Sequence, residues 1–439
     1  MKEYNKEQII IFGTGGGYRN ALLNGFFEQY DVAAVADSNS RLQGFITAGH
    51  CIIAPDQIND YNYNYIYITS EKYYQEIQHQ LVDHYKIDRK KIRLAEQRTS
   101  YRDSEKEKKE LQCLRNAIIE VRLDNFKKNG VMVEIAGSMT NGNEISSYWN
   151  AHTVHDNWFV SAQESYEYCL ERFNMYPKFR EFAQMDRSHE EDVILDYGCG
   201  PGNDLTWLKL NGKAKHIIGM DVSRAALENA QFRLALHHIN NSDAELVQIG
   251  ETEDKIPLED NSIDFINCQG VLMHTSNPPK IVKEFYRVIK KQSDKPCASI
   301  MVYNKDSIWY HLYAAYYLRY VDNMIFADFG MDKTSKMSVD DIFVCSTDGI
   351  RCPKAACWTE EEFIGILKNA GFSRIEYQGG YPDNMELGIA KKYIYQAIED
   401  CRLEEVHKEF LRNVSFNEEG YPVYNGKLCG VGGVYICYV

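Results

Sequence analysis

The side chains of this sequence that invite chemistry gather first at Val193–Gly202, VILDYGCGPG. An apolar run stops at Asp196, and Gly198, Gly200 and Gly202 follow, with Cys199 and Pro201 between them. Residues of little bulk let a ligand touch the backbone there, and Pro201 suits the first turn of a helix, where its missing N–H has no partner to lose. The next apolar run, His216–Met220, ends at Asp221, ahead of Val222 and Ser223. A carboxylate accepts two hydrogen bonds at once, so an acid at that strand tip would grip the hydroxyl pair of a ribose and seat a nucleoside over the glycine loop. No Lys-Ser or Lys-Thr pair follows the glycines, which leaves nothing to hold a triphosphate with magnesium.

A second set of reactive groups lies on either side of that loop. His274, in the stretch Gln269–Thr275 (QGVLMHT) after an apolar strand, is the leading candidate for a general base, since a neutral imidazole titrating near pH 7 can take a proton from an acceptor. The alternative is a ring that only orients its loop. Upstream, Tyr148–Phe179 carries His155, a second catalytic candidate, and His152, Trp158 and Tyr166 as candidates for holding a substrate. Rings there would exclude water and orient the reactants; otherwise they are packing and cap residues. Tyr303 at a later strand tip, with Asp348 and Arg351 in a long insertion, completes the substrate-binding candidates.

Apolar runs at 193–195, 216–220, 245–249, 261–268, 298–303, 373–377 and 434–439 alternate with helical stretches at 203–211, 224–237 and 278–291, the last of them amphipathic. That alternation predicts an α/β fold with a mostly parallel seven-stranded sheet, whose ligands sit beyond the carboxyl ends of its strands. Thr359 and Glu362 form a capping box that starts a further helix, which ends near Gly371. Leu195–Gly202 together with Gly219–Ser223 resembles the class I S-adenosylmethionine-dependent methyltransferases, particularly the small-molecule enzymes typified by quinone and sterol methyltransferases, over about residues 190–310. The resemblance implies a Rossmann-like fold, S-adenosyl-L-methionine as cofactor and S_N2 methyl transfer. By the same resemblance, Asp196 and Gly198 to Gly202, with Cys199, would hold the methionine part, Asp221 and Val222 the ribose, and Glu251 and Thr252 the adenine, with Gln269 a further cofactor contact. Arg287–Lys290 also matches the family's Arg-Val-Leu-Lys run, while the Pro-Gly-Gly that usually follows is replaced by Lys291–Asp294.

The N-terminal 97 residues repeat the strand, glycine loop and acid pattern on a smaller scale, with Gln8–Phe12, Gly13–Gly17 and a second strand ending at Asp37. This predicts a second, smaller Rossmann-like domain. The dinucleotide fingerprint wants a third glycine where Tyr18 stands, so two readings stay open, nucleotide or nucleotide-sugar binding and a structural or docking role. Residues 98–145 read as a helical connector, with Leu111, Leu114, Ile118 and Val121 at helical spacing as its seated face. The methyltransferase domain is then expected over 146–439, divided into a lid (146–189), a cofactor-binding core (190–306) and an acceptor region (307–439).

A formal net charge of −14 argues against a protein that lives on nucleic acid, and no window approaches the roughly 20 apolar residues needed to span a bilayer. Twelve cysteines without a CxxC pair, and a polar start, MKEYNKEQII, fit reduced thiols in a soluble cytoplasmic protein. Cys345, Cys352 and Cys357 match no usual zinc spacing and read as free, so no metal is expected. The partner implied is a small-molecule or glycan acceptor, and a homo-oligomer stays open. Two rivals remain, an oxidoreductase or sugar-modifying enzyme using NAD(P) or a nucleotide sugar through the first domain, and a scaffold that binds the methyl donor without turnover.

Overall fold

The computed structural model describes residues 6–23, 25–95, 111–123, 131–136, 144–155, 157–251, 255–291, 295–328, 337–349 and 351–439. The chain divides into two units, residues 1–108 with 316–338, and residues 109–315 with 339–439.

In the first unit β1 (Gln8–Phe12), β2 (Asp31–Ala36), β3 (Ile46–Thr47), β4 (His50–Ile53), β5 (Tyr65–Ile68) and β6 (Ile92–Leu94) form one sheet in the order β3-β4-β2-β1-β5-β6. All pairs are parallel except the β3–β4 hairpin. Ile9, Ile10 and Ile11 are all buried, as an unbroken apolar strand must be when both faces of its sheet are covered. The acid at the tip of β2 is occupied by its own surroundings: Asp37 Oδ2 accepts the Thr14 N–H at 2.8 Å and the Thr14 hydroxyl at 2.7 Å, while Oδ1 accepts the Asn39 N–H at 2.8 Å. Tyr18 is buried, with its hydroxyl 3.2 Å from that of Thr47.

Residues 316–338 belong to this unit, although the sequence placed them in the acceptor region. An edge strand leaves backbone groups without partners. Here the Ile46 N–H donates to Asn323 Oδ1 at 2.6 Å, the Gly49 N–H donates to the Val321 carbonyl at 2.8 Å, and Met324 and Phe326 join the apolar cluster of Phe45 and Ile52. The inserted segment therefore finishes the edge of the smaller sheet.

The second unit contains β7 (Val133–Ile135), β8 (Val193–Tyr197), β9 (His216–Asp221), β10 (Ala244–Gln248), β11 (Phe265–Gln269), β12 (Ala298–Asn304), β13 (Cys357–Trp358), β14 (Arg374–Tyr381), and a small separate sheet of β15 (Ser415–Phe416), β16 (Pro422–Tyr424) and β17 (Lys427–Leu428). The last strand is β18 (Gly432–Tyr438). The main sheet runs β14-β18-β12-β11-β8-β9-β10-β7, with β13 alongside β12. β18 is antiparallel to both neighbours, and the other pairs are parallel. Strand order reverses between β8 and β11, the switch point at which open α/β sheets bind ligands.

Among the described residues nine strands replace the seven expected, because two short segments were not read as part of this sheet. β7, assigned from sequence to the connector, pairs with β10 through Val133 opposite Leu246 and protects what would otherwise be an edge. The helix over 111–123 also turns the other way. Leu111, Leu114, Ile118 and Val121 are exposed, while Ile119 packs with Phe159, Phe232 and Leu236. The reason is a charged anchor: Arg115 bonds Glu164 and the Trp158 carbonyl, which draws the opposite face inward.

The glycine loop leaves β8 with Gly198, Gly200 and Gly202 at φ of 75°, 52° and 79°. Gly202 is the N-cap of Asn203–Leu210, so Pro201 precedes the helix instead of opening it. A Cβ on Gly198 would lie 2.2 Å from Val271 Cγ2, whereas one on Gly200 would meet nothing within 4 Å. Gly198→Ala is therefore expected to destabilise the fold by about 1–3 kcal/mol through overpacking, on top of the strain of a positive φ. Gly200→Ala carries the backbone strain alone, and denaturant unfolding of the two variants should rank them in that order.

Candidate active site

A cavity of about 470 Å³ opens at the carboxyl ends of β8, β9, β11 and β12. Its first half is built on the glycine loop. The Gly198 and Cys199 N–H groups both donate to the Met220 carbonyl, at 2.7 and 3.0 Å, and the Gly200 N–H donates to Asp221 Oδ2 at 2.9 Å. Asp221 Oδ1 accepts the Ser223 N–H at 2.8 Å. Each carboxylate oxygen retains acceptor capacity toward a ligand in the cavity.

Asp196, at the end of β8, accepts from Asn267 Nδ2 at 2.8 Å through Oδ1, but its buried Oδ2 has no hydrogen-bond partner. Gln269 Oε1 is likewise buried without a partner, its amide nitrogen being spent on Asn267 and Ser299. Two unsatisfied acceptors on one cavity wall form a seat for an ammonium group, since buried acceptors left without donors are costly. Across from them Arg172 pairs with Asp204 and retains an unpartnered buried Nε, a donor suited to a carboxylate. Burial, then the charge of Asp204, pushes the Asp196 carboxyl up to about 8.

The second half centres on His274, in the turn Leu272–His274. Its Nδ1 lies 2.7 Å from the Lys354 carbonyl, and since a carbonyl only accepts, Nδ1 carries a proton, which makes Nε2 the atom that can hold or release the ring's second proton. Nε2 is 3.5 Å from Asp348 Oδ1. The Tyr303 hydroxyl donates to the same carboxylate, 2.9 and 3.1 Å from its two oxygens, and Tyr148 donates to the Asp348 carbonyl. Burial and then the Asp348 charge hold the Tyr303 phenol far above its usual range, so it remains a donor. Trp149 stands edge-on to His274, with ring centroids 4.9 Å apart.

Cys352 Sγ sits 3.9 Å from His274 Nδ1, and with Asp348 these donor atoms lie within 4.8 Å of one another, a proximity that cysteine spacing in the sequence did not reveal. Burial keeps the thiol up at about 11 and therefore protonated. Nδ1 is committed to a carbonyl and Asp348 lies on the other edge of the ring, so hydrogen bonds hold this group together.

His152, His155, Val222, Glu251 and Tyr303 line the cavity alongside Asp196, Gly198, Cys199, Gly200, Asp221, Gln269, His274 and Asp348. Others do not. Trp158 packs on Phe232 under the connector helix, Tyr166 stacks on Trp207 and bonds Asn211, and Arg351 is exposed outside the lining. Gly202 also lies outside it, because its role is to turn the chain into the helix. Thr252 falls outside the described residues. Glu251 spends its carboxylate on the lid, where Oε2 accepts the Ile145 and Ser146 N–H groups at 3.0 and 3.1 Å and caps Glu144–Ala151. His155 bonds Tyr168, and burial, followed by the Arg172 charge, drives its pKa down to about 4, which makes it a poor proton acceptor. Sequence reasoning missed Arg172, Asp204, Trp149 and Trp309. The first three sit on helices where nothing in the local pattern separates a cavity residue from a packing one.

Strand order, the switch-point cavity and the acid-bearing glycine loop define a Rossmann-like domain that binds a nucleoside-linked ligand. Residues 188–306 match the family model described as a methyltransferase domain, and residues 5–93 match one described as C2185-like, N-terminal. The chain is 37% identical over 100 residues to an uncharacterized 37.1 kDa protein in transposon TN4556 of Streptomyces fradiae, covering 23% of this chain and 27% of that protein. It is 33% identical over 113 residues to a demethylmenaquinone methyltransferase of Symbiobacterium thermophilum, covering 25% and 43%. A SAM-dependent methyltransferase from Aquifex aeolicus aligns in structure with a TM-score of 0.32 and 18% identity, over 50% of this chain and 93% of that one. The chain spans less than half the length of these two curated relatives. Residues 188–306 are a class I S-adenosylmethionine-dependent methyltransferase domain. The buried acceptors of Asp196 and Gln269 fit the donor's ammonium group, and Arg172 fits its carboxylate.

A carboxyl raised to about 8 is protonated in the ligand-free site at pH 7, whereas an ammonium partner favours the ionised form. Binding of S-adenosylmethionine at pH 7 should therefore release a proton, with affinity rising with pH until the ligand's own ammonium begins to lose its proton. The ligand-free fold holds this proton where the unfolded chain has lost it, so its own stability falls as pH rises through the same window. Calorimetry at pH 7 in buffers of different ionisation enthalpy reads the proton directly. Asp196→Asn should abolish the release and weaken binding roughly tenfold to a hundredfold.

Proposed function

We propose that the chain transfers the methyl group of S-adenosylmethionine to a small-molecule acceptor, glycan-type acceptors included, with His274 as general base and Asp348 as its charge partner. The carrying observation is the 3.5 Å approach of His274 Nε2 to Asp348 in the same cavity as the glycine loop, with Nδ1 committed to Lys354. The donor supplies an electrophilic methyl on a sulfonium. The protein orients the acceptor in line with it, excludes water with Trp149 and the lid, and moves one proton. As the acceptor atom attacks, His274 Nε2 takes its proton, and the resulting imidazolium lies beside the Asp348 carboxylate. Displacement at the methyl carbon then needs orientation more than any covalent help from the protein.

A cavity of about 470 Å³ shared by donor and acceptor suits a small acceptor or the end of a larger one. Similarity to a protein named as a demethylmenaquinone methyltransferase supports the same class. Among the described residues no helix is long and apolar enough to cross a membrane, which accords with a cytoplasmic enzyme. The N-terminal unit, whose Asp37 is occupied by Thr14 and Asn39, serves a structural or docking role in this reading.

His274→Asn is expected to lower kcat by about 10²- to 10⁴-fold while the dissociation constant for S-adenosylmethionine stays within about twofold. S-adenosylhomocysteine release over a range of acceptors measures the first and calorimetry the second. Turnover undiminished in His274→Asn would remove the base from the mechanism.

A further inference from the structure

We infer that the acceptor is a small primary or secondary amine, recognised by its N–H groups through His274 and Asp348. This rests on the methyltransferase reading above and deepens it. The two side chains present two hydrogen-bond acceptors 3.5 Å apart, Nε2 of a ring whose other nitrogen is committed and Oδ1 of a carboxylate whose direct side-chain donor is the Tyr303 hydroxyl. A hydroxyl carries one proton and satisfies one of them. An amine carries at least two in its ammonium form and satisfies both.

Charge points the same way. Among the described residues Arg172 is the one Lys or Arg that lines the cavity, and it is paired with Asp204. Asp221, Glu251 and Asp383 each accept backbone N–H groups, and Asp196 is assigned to the donor's ammonium. That leaves Asp348, its side chain buried beside a protonated phenol, a protonated thiol and the His274 ring, with no Lys or Arg ion pair among the described residues. A carboxylate in such surroundings favours a positive ligand and rejects an anionic one. Trp149, Tyr303 and Trp309 add the aromatic wall that ammonium groups favour.

The chemistry balances. The ammonium gives one proton to His274 Nε2, and the freed nitrogen lone pair forms the new N–C bond. The C–S bond breaks with its electron pair going to sulfur, leaving a neutral thioether and a methylammonium still opposite Asp348. The imidazolium returns its proton to solvent.

The test is calorimetry on the full chain loaded with S-adenosylhomocysteine, using benzylamine, phenethylamine and cyclohexylamine beside the alcohols and carboxylates of the same skeletons. Amines should bind at least about tenfold more tightly than their isosteres, and Asp348→Asn should erase that preference. Retained affinity for S-adenosylhomocysteine reports that the variant is folded. Tyr303→Phe, which frees more of the carboxylate, should keep or sharpen the preference. Alcohols or carboxylates binding as tightly as amines, or no amine binding at all to a chain that binds S-adenosylhomocysteine, overturns the inference and leaves the methyltransferase reading standing. Failure to bind S-adenosylmethionine or its product overturns that reading itself.

Discussion

The donor end of the site depends on one hydrogen bond, from the Gly200 N–H to Asp221 Oδ2 at 2.9 Å. The loop between β8 and its helix has three glycines in the left-handed region and only Cys199 and Pro201 between them, so much of its shape is imposed from outside. The tip of β9 does so, with Met220 accepting the first two loop amides and Asp221 the third. Gly219 makes this possible, because a Cβ there would lie 2.5 Å from Leu205 and 3.0 Å from Cys199 Sγ. The first unit uses the same device, with Asp37 holding Thr14 and Asn39 as Asp221 holds Gly200 and Ser223. An acid at the second strand tip is thus first a fastener for the loop, whatever it contributes to a ligand.

Around this fastener the fold spends buried charge where apolar residues would have been simpler. Arg233 is fully buried and bonds the Ser165 hydroxyl and carbonyl and Asn203, joining the helix Ala162–Met175 to the start of the loop helix. Glu386, also fully buried, accepts the N–H groups of Trp309, Asp383 and Val431, three cavity residues from three separate segments. Burying such groups costs several kcal/mol unless they are fully bonded, and removing one partner strands the other. The acceptor half of the cavity is consequently held by a few directional bonds as well as by packing.

Much of this was legible in the sequence because it is local. The run VILDYGCGPG, the acid after HIIGM and the capping box at Thr359 each state their geometry within ten residues, and the strands, loop and helix appear there. The His274 and Asp348 pairing was half legible: each residue stood out as polar and well placed, but 74 positions separate them and only the fold brings them to 3.5 Å. Periodicity misled at Leu111, Leu114, Ile118 and Val121, where a helical stripe exists but the guanidinium of Arg115 decides which face is seated. The return of residues 316–338 to the first unit carries no local signal, since it follows from backbone groups left open at an edge far away in sequence.

Glu251 gives the cavity a mechanical property that none of its residues has alone. Its carboxylate fastens the first turn of Glu144–Ala151, and that helix carries Trp149 against His274 while Tyr148 reaches the Asp348 carbonyl. The end of β10 and the wall that carries His274 and Asp348 are thus coupled through one side chain. On the proposed methyl-transfer reading such a linkage favours a compulsory order of arrival, because the shelf for the later guest hangs from a bracket set beside the earlier one.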